Sequence, residues 1–272
     1  MLKTRIVTAL LLLAVFLPGL FLLPVSAWAW LMAVVAALGA WEWAALIRWS
    51  PPRRVALGGA MFILCAGVIL GFPELLSETA QLGGELKWFY GAAMAFWFGL
   101  IPFWLRQRWV VGSVLGAGVG LVVLMPTWLA MVQLRMAGPN ALLAILAVVW
   151  VADVAAYFSG KTFGRHKLAP AISPGKTWEG VAGAAVAVTA YGFAMRQVFS
   201  VEAVGPVLWC AALLLVTGVS VVGDLFESLL KRQVGLKDSS HILPGHGGVL
   251  DRIDSLTSTL PTVAFFWLLF AV

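Results

Sequence analysis

The sequence predicts an all-α fold: a polytopic transmembrane helical bundle of about nine spans, with its N-terminus in the cytoplasm. Three observations carry that expectation. First, 62% of the 272 residues are hydrophobic and 11% are charged, whereas soluble domains average about 25% charged residues. Second, the apolar residues fall in long unbroken runs, and roughly 20 of them cross a bilayer as a helix. Backbone groups in hydrocarbon must be satisfied within the segment, so such runs imply helices and not the alternating strands of a barrel. Third, the cations sort to alternate ends of these runs.

In chain order the spans cover about residues 5–23, 26–47, 55–72, 88–104, 110–132, 140–159, 179–199, 205–223 and 253–271. The first resembles a signal peptide, because Lys3 and Arg5 precede it and Ala27-Trp28-Ala29 mimics a cleavage site. It runs straight on into a second apolar segment, which favours a retained span. Glu74, Glu78 and Glu85 fall in an outer connection, which they solvate. In the fifth span Gly112, Gly116 and Gly120 form a stripe that admits a close neighbour, in this chain or in a homodimer. Cys65 and Cys210 lie in apolar runs and read as packing residues, without disulfide or metal spacing. Trp28, Trp49, Trp88, Trp104, Trp109 and Trp178 sit near span ends, where indole suits the membrane interface. Asp153, within the sixth span, is either a functional acid or a structural hydrogen-bond hub.

With the N-terminus inside, the cytoplasmic side holds Lys3, Arg5, Arg48, Arg53, Arg54, Arg106, Arg108, Lys161, Arg165, Lys167, Lys176, Lys231, Arg232, Lys237 and Arg252. The other side holds only Lys87, Arg135 and Arg196. That asymmetry orients the chain by the positive-inside rule. It also accounts for the basic balance without a nucleic-acid partner, since such an excess attracts anionic membrane lipids.

Residues 1–139 therefore read as a lipid-facing scaffold, and residues 140–272 as helices carrying catalytic loops on the cytoplasmic face. Two polar stretches, about 160–178 and 224–252, share that face and can meet at one site. "GDLFES" places Asp224 and Glu227 three apart, and "DRID" does the same for Asp251 and Asp254, so each pair shares a helix face. They can pair with Lys231, Arg232 and Arg252, or hold a divalent cation. Hard oxygen ligands suit Mg²⁺, which commonly takes one or two carboxylates plus substrate phosphates. Lys231, Arg232 and Lys237 precede Pro244-Gly245-His246-Gly247-Gly248, where glycines admit an anion close to the backbone before a helix start. In the other stretch Ser173-Pro174 reads as a helix N-cap, which would put Lys176 and Thr177 on the first turn of the seventh helix.

These residues resemble the phosphatidate cytidylyltransferases (CDP-diacylglycerol synthases). The signature of that family reads S-x-x-K-R-x4-K-D-x-[GSA]-x2-[LIF]-[PG]-x-H-G-G-x2-D-R-x-D. Ser228, Lys231, Arg232, Lys237, Asp238, Ser240, Leu243, Pro244, His246, Gly247, Gly248, Asp251, Arg252 and Asp254 fill every specified position. "SPGKTWEG" and "GDLFES" are also similar to family segments, while the first 140 or so residues agree only in hydropathy.

The resemblance implies a Mg²⁺-dependent nucleotidyltransferase of phospholipid biosynthesis. It would convert CTP and phosphatidic acid to CDP-diacylglycerol and pyrophosphate, in a bacterial-type inner membrane with the active site facing the cytoplasm. It further implies Asp224 and Asp251 as principal metal ligands, with Glu227 and Asp254 as secondary candidates. Asp224, Asp251, Lys231 and Arg232 would carry catalysis. Ser173, Lys176, Lys237, Asp238, His246, Gly247, Gly248 and Arg252 would bind substrate. Two other readings compete. A CTP-dependent lipid kinase would release CDP instead of pyrophosphate. A transporter would also carry charged residues in spans, but typically at the midplane and within inverted repeats.

Overall fold

The computed structural model describes residues 2–76 and 84–270; Glu78 lies outside them. Ten helices follow in order: α1 (Leu2–Leu22), α2 (Val25–Leu46), α3 (Pro51–Gly71), α4 (Gly84–Ala95), α5 (Ile101–Gln107), α6 (Ser113–Met136), α7 (Pro139–Phe163), α8 (Trp178–Val198), α9 (Pro206–Gln233) and α10 (Leu250–Phe270). A π-helical turn, Phe96–Leu100, joins α4 to α5, so residues 85–107 make one continuous span. Among the described residues, eight segments are long and apolar enough to cross a membrane. The bundle is thus all-α and polytopic. α8, at 21 residues, is shorter than α7 and α9, is built largely from small residues and carries Glu179 and Arg196, and it is the one expected span that falls short of these eight. It nonetheless packs along α7 more extensively than any other helix pair.

Three features position the chemistry. The first is an aromatic cluster. Phe226 of α9 lies with its ring centroid 5.5 Å from Trp104, 5.8 Å from Trp97 and 6.1 Å from Trp43. These pairings fix the second half of α9 against α2 and the α4–α5 span. Trp104 and Trp28 are therefore core residues, against the expectation of interface anchors; Trp28 is fully buried and donates to Met131 O. Trp88 and Trp178 do remain exposed.

The second is the glycine stripe, which is used inside the chain. Trp43 of α2 lies over Gly120 of α6 and its Nε1 donates to Gly116 O at 2.8 Å, while Ile47, just beyond α2, lies over Gly116. Gly112 meets nothing within 4 Å.

The third is a common polar end. Arg48, just beyond α2, donates to Gln233 O at the end of α9, and the Gln233 amide donates to Arg108 O and Trp109 O. Thr8 of α1 donates to Pro244 O. The start of α1 and the ends of α2, α5 and α9 therefore gather at one end of the bundle.

Two boundaries differ from the sequence expectation. Residues 167–177 form a small antiparallel hairpin, β1 (Lys167–Ala169) with β2 (Ser173–Thr177), pairing Lys167 with Thr177 and Ala169 with Ser173. Ser173 is thus a strand residue, and Thr177 is the N-cap of α8, its hydroxyl accepting from Gly180 N at 3.1 Å. The strand pairing holds the Pro174-Gly175-Lys176 backbone extended, so the helix begins four residues later than a cap at Ser173 would place it. α9, for its part, continues to Gln233, because Leu225, Phe226, Leu229 and Leu230 extend its buried face. Asp224, Glu227, Ser228, Lys231 and Arg232 consequently ride on a helix and not in a loop.

Candidate active site

A cavity of about 530 Å³ opens at the polar end between α7, β2, α8 and α9. Its walls carry Asp153, Tyr157, Lys161, Lys167, Ser173, Lys176, Thr177, Ser220, Asp224 and, from α10, Ser255. Small residues make it. A Cβ on Gly180 would come 2.9 Å from Ala156 O, and one on Gly160 would come 2.9 Å from Thr177 Oγ1. Without side chains there, α7 and α8 close on each other and aim Asp153 and Lys176 into one space. Gly223 does the same for α9 and α10, since a Cβ there would stand 2.9 Å from Asp254 O. That close approach brings the two acidic pairs together.

The expected residues fall into three groups. Ser173, Lys176 and Asp224 line the cavity, where Lys176 Nζ forms an ion pair with an Asp224 carboxylate that is about a quarter exposed. Ser228 adds a hydrogen bond to Asp224 Oδ1 at 3.2 Å. Asp254 is within electrostatic reach of both Asp224 and Glu227, and its Oδ1 accepts from Ser255 N.

Behind them lies a buried triad. Lys231 Nζ stands 2.6 Å from Asp251 Oδ1 and 3.1 Å from Glu227 Oε1. Asp251 Oδ2 accepts from Ser239 N, Ser239 Oγ and Gly248 N at 2.8 to 2.9 Å. Gly247 has φ +81°, and a Cβ on it would meet Asp251 Oδ2 at 2.6 Å, so the glycine pair is what lets the loop fold over this carboxylate. Among the described residues, both Glu227 carboxylate oxygens and His246 Nδ1 are buried without a hydrogen-bond partner. The Lys231–Glu227 approach is an ion pair without hydrogen-bond geometry.

The third group stands apart from the cavity. Lys237 and Arg252 are exposed, and Asp238 is half-buried. Arg232 braces the polar end, donating to Ile172 O at the hairpin and to Leu236 O.

Sequence reasoning missed Glu42. This α2 residue is 0% exposed; it accepts hydrogen bonds from Ser240 Oγ, Val249 N and Leu250 N and shares the Ser239 hydroxyl with Asp251. A signal was available: a lone carboxylate within "AWEWAAL" is costly in an apolar span and demands partners.

The fold and site together define a multi-pass membrane protein that collects acids, lysines and a glycine turn around a cavity at one end of its bundle, as an enzyme acting on phosphates at a membrane surface would. The chain belongs to the cytidylyltransferase family, whose profile matches residues 3–270. It is 41% identical over 276 aligned residues to a phosphatidate cytidylyltransferase of Pseudomonas aeruginosa, covering 97% of this chain and 96% of that one. A phosphatidate cytidylyltransferase of Haemophilus influenzae is 34% identical, with 98% and 99% covered. A protein of the same name from Bacillus subtilis is 44% identical over 127 residues, 46% of each chain.

Proposed function

We propose that the chain transfers the cytidylyl group of CTP to phosphatidic acid, giving CDP-diacylglycerol and pyrophosphate. The observation that carries this reading is the Lys176–Asp224 pair in a cavity at one end of a membrane-spanning bundle, in a chain similar over nearly its whole length to phosphatidate cytidylyltransferases.

A phosphate oxygen of phosphatidic acid attacks the α-phosphorus of CTP. The new P–O bond forms as the bond from that phosphorus to the bridging oxygen breaks, and the electron pair leaves with pyrophosphate. No side chain need remove a proton, because a phosphate monoester has its second pKa near about 6 and is largely dianionic at neutral pH. The demand on the protein is to hold two anions together and to stabilise the charge that grows on the departing pyrophosphate. Lys176, Lys161 and Lys167 on the cavity wall would supply cations, with Lys231 behind them and Arg232 bracing the hairpin. Lys237, Asp238, Arg252 and His246 would contact substrate at the loop, whose turn Gly247 and Gly248 shape.

The donor set fits Mg²⁺. It is hard oxygen throughout, and both Glu227 oxygens are buried without hydrogen-bond donors. Among the described residues no three acids, histidines or cysteines converge as a ready-made metal cage, but Mg²⁺ is commonly held by one or two carboxylates with substrate phosphates completing its shell. Asp224 and Asp251 would be its main ligands, with Glu227 and Asp254 in support. When bound, the ion would neutralise the phosphates and polarise the attacked phosphorus.

The reading places the protein in a bacterial-type inner membrane with the cavity facing the cytoplasm, where CTP is found. The gathering of Arg48, Arg108 and the α9 terminus at one end supports that orientation. The test is incubation of purified protein with phosphatidic acid, CTP labelled in the cytidine, and Mg²⁺. Label in the lipid with release of pyrophosphate is expected, and release of CDP with unlabelled lipid would indicate a kinase instead. Asp224→Asn should lower kcat by at least about tenfold, roughly 1.4 kcal/mol of barrier; unchanged turnover would reject the cavity as the site.

A further inference from the structure

Glu42 lies far from the signature residues in sequence, yet it and Asp251 meet across Ser239 and Gly248. Ser239 Oγ is 3.1 Å from Glu42 Oε2 and 2.9 Å from Asp251 Oδ2. Gly248 donates its N–H to Asp251 Oδ2 at 2.8 Å, while a Cβ on Gly248 would stand 2.5 Å from Glu42 Oε1. Each oxygen of Glu42 has two donors within hydrogen-bond distance, the single Ser239 hydroxyl proton being shared with Asp251. Oε1 takes Ser240 Oγ at 2.6 Å and Val249 N at 2.9 Å, and Oε2 takes Ser239 Oγ and, at 2.6 Å, Leu250 N. That uses the acceptor capacity of a carboxylate on every side. No ion pair to a cation is recorded for Glu42 among the described residues. Its charge is met instead by backbone N–H groups at the start of α10, where the helix dipole favours an anion.

A carboxylate buried in an apolar span demands hydrogen-bond partners wherever it lies, so it is the location of these contacts, not their number, that points to a role. They converge on the two ends of the loop that shapes Asp251, and through Asp251 on Lys231. We propose that Glu42 is a positioning residue for cytidylyl transfer: from α2 it sets the conformation of residues 239–250, and so the placement of Asp251 and Lys231 against the nucleotide phosphates. The N-terminal helices are on this view part of the catalytic apparatus and not only a scaffold.

The inference rests on the reading that transfer occurs at the cavity beside Asp251, so Asp224→Asn is assayed in parallel. Glu42→Gln keeps side-chain length but turns an amide N–H₂ toward two of the four donors. Steady-state constants are measured on detergent-purified protein and normalised to the folded fraction by size exclusion and thermal unfolding. Small misplacements of reacting groups cost rate steeply, so we expect kcat per folded molecule to fall by about tenfold or more and the KM for CTP to rise, with the KM for phosphatidic acid within about twofold of wild type. A residue that merely holds the bundle together would lower the folded yield and leave all three constants unchanged, and that result overturns the proposal. Should Glu42→Gln fail to insert, Ser240→Ala, which removes one donor and leaves the carboxylate in place, decides by the same split between CTP and lipid constants. An inactive Asp224→Asn beside a normal Glu42→Gln refutes the role of Glu42 alone. An active Asp224→Asn refutes the location of the site.

Discussion

Lys231 Nζ lies 2.6 Å from Asp251 Oδ1, joining the last turns of α9 to the first turn of α10 across twenty residues of chain. Both side chains are almost wholly buried, and Glu227 shares the lysine. The cation neutralises two internal carboxylates, and on the proposed reading an incoming phosphate would compete for it.

Lys231→Met should consequently be costly in two ways. Removing one partner of a buried ion pair leaves the others uncompensated, at about 3–5 kcal/mol, so thermal unfolding in detergent should shift well below wild type. Among molecules that remain folded, kcat should drop by at least about tenfold, since a charge that acts mainly as pyrophosphate leaves lowers kcat and kcat/KM together. Arg53, exposed at the start of α3, is the control: Arg53→Met should leave both quantities near wild type. Equal losses in the two variants would remove any special role for Lys231.

The closeness of α9 and α10 depends on Gly223. Gly223→Ala would drive a Cβ against Asp254 O and the Ser258 side chain. Overpacking of this kind costs about 1–3 kcal/mol, and separating the acidic pairs should also depress turnover. Gly218, on the same helix, has nothing within 4 Å of its would-be Cβ, so Gly218→Ala should be neutral or stabilising by up to about 1 kcal/mol. Thermal unfolding of the two alanine variants distinguishes a packing constraint from a general intolerance of α9.

Capping of α8 gives a third expectation. Thr177→Ala removes the acceptor for Gly180 N and should cost about 1 kcal/mol. Ser173→Ala should cost almost nothing in stability, because Ser173 lies in β2, and any effect should appear in substrate KM. A larger loss of stability for Ser173→Ala than for Thr177→Ala would contradict the hairpin.

Orientation can be tested directly. In a background lacking Cys65 and Cys210, single cysteines at positions 170 and 240 should react with a membrane-impermeant maleimide only after the inner face of right-side-out vesicles is exposed. Reaction of either from the outer face of intact vesicles would invert the proposed topology.

Much of this was legible in the sequence because spans and acid pairs are local patterns. The three-residue spacing of Asp224 and Glu227 needs only a continuing helix to put them on one face, and α9 supplies it. The hairpin was not legible. Its strands are three and five residues long, and Ser-Pro followed by a helical run carries the same local signal whether serine caps the helix or pairs in a strand. Lys231 and Arg232 stand side by side in the signature, yet neighbours on a helix point about 100° apart. One enters the buried triad while the other reaches the hairpin. Glu42 escaped because its four partners lie near the other end of the chain, where no local pattern connects them.

That separation bears on how the protein is made. Glu42 precedes Val249 and Leu250 by 207 and 208 residues, and at about 5–20 residues synthesised per second its backbone donors emerge roughly 10–40 s after it. Throughout that interval the growing chain holds an unmatched carboxylate in its second inserted helix. Residues 239–250 can therefore take their shape over Glu42 only once the start of α10 has been made.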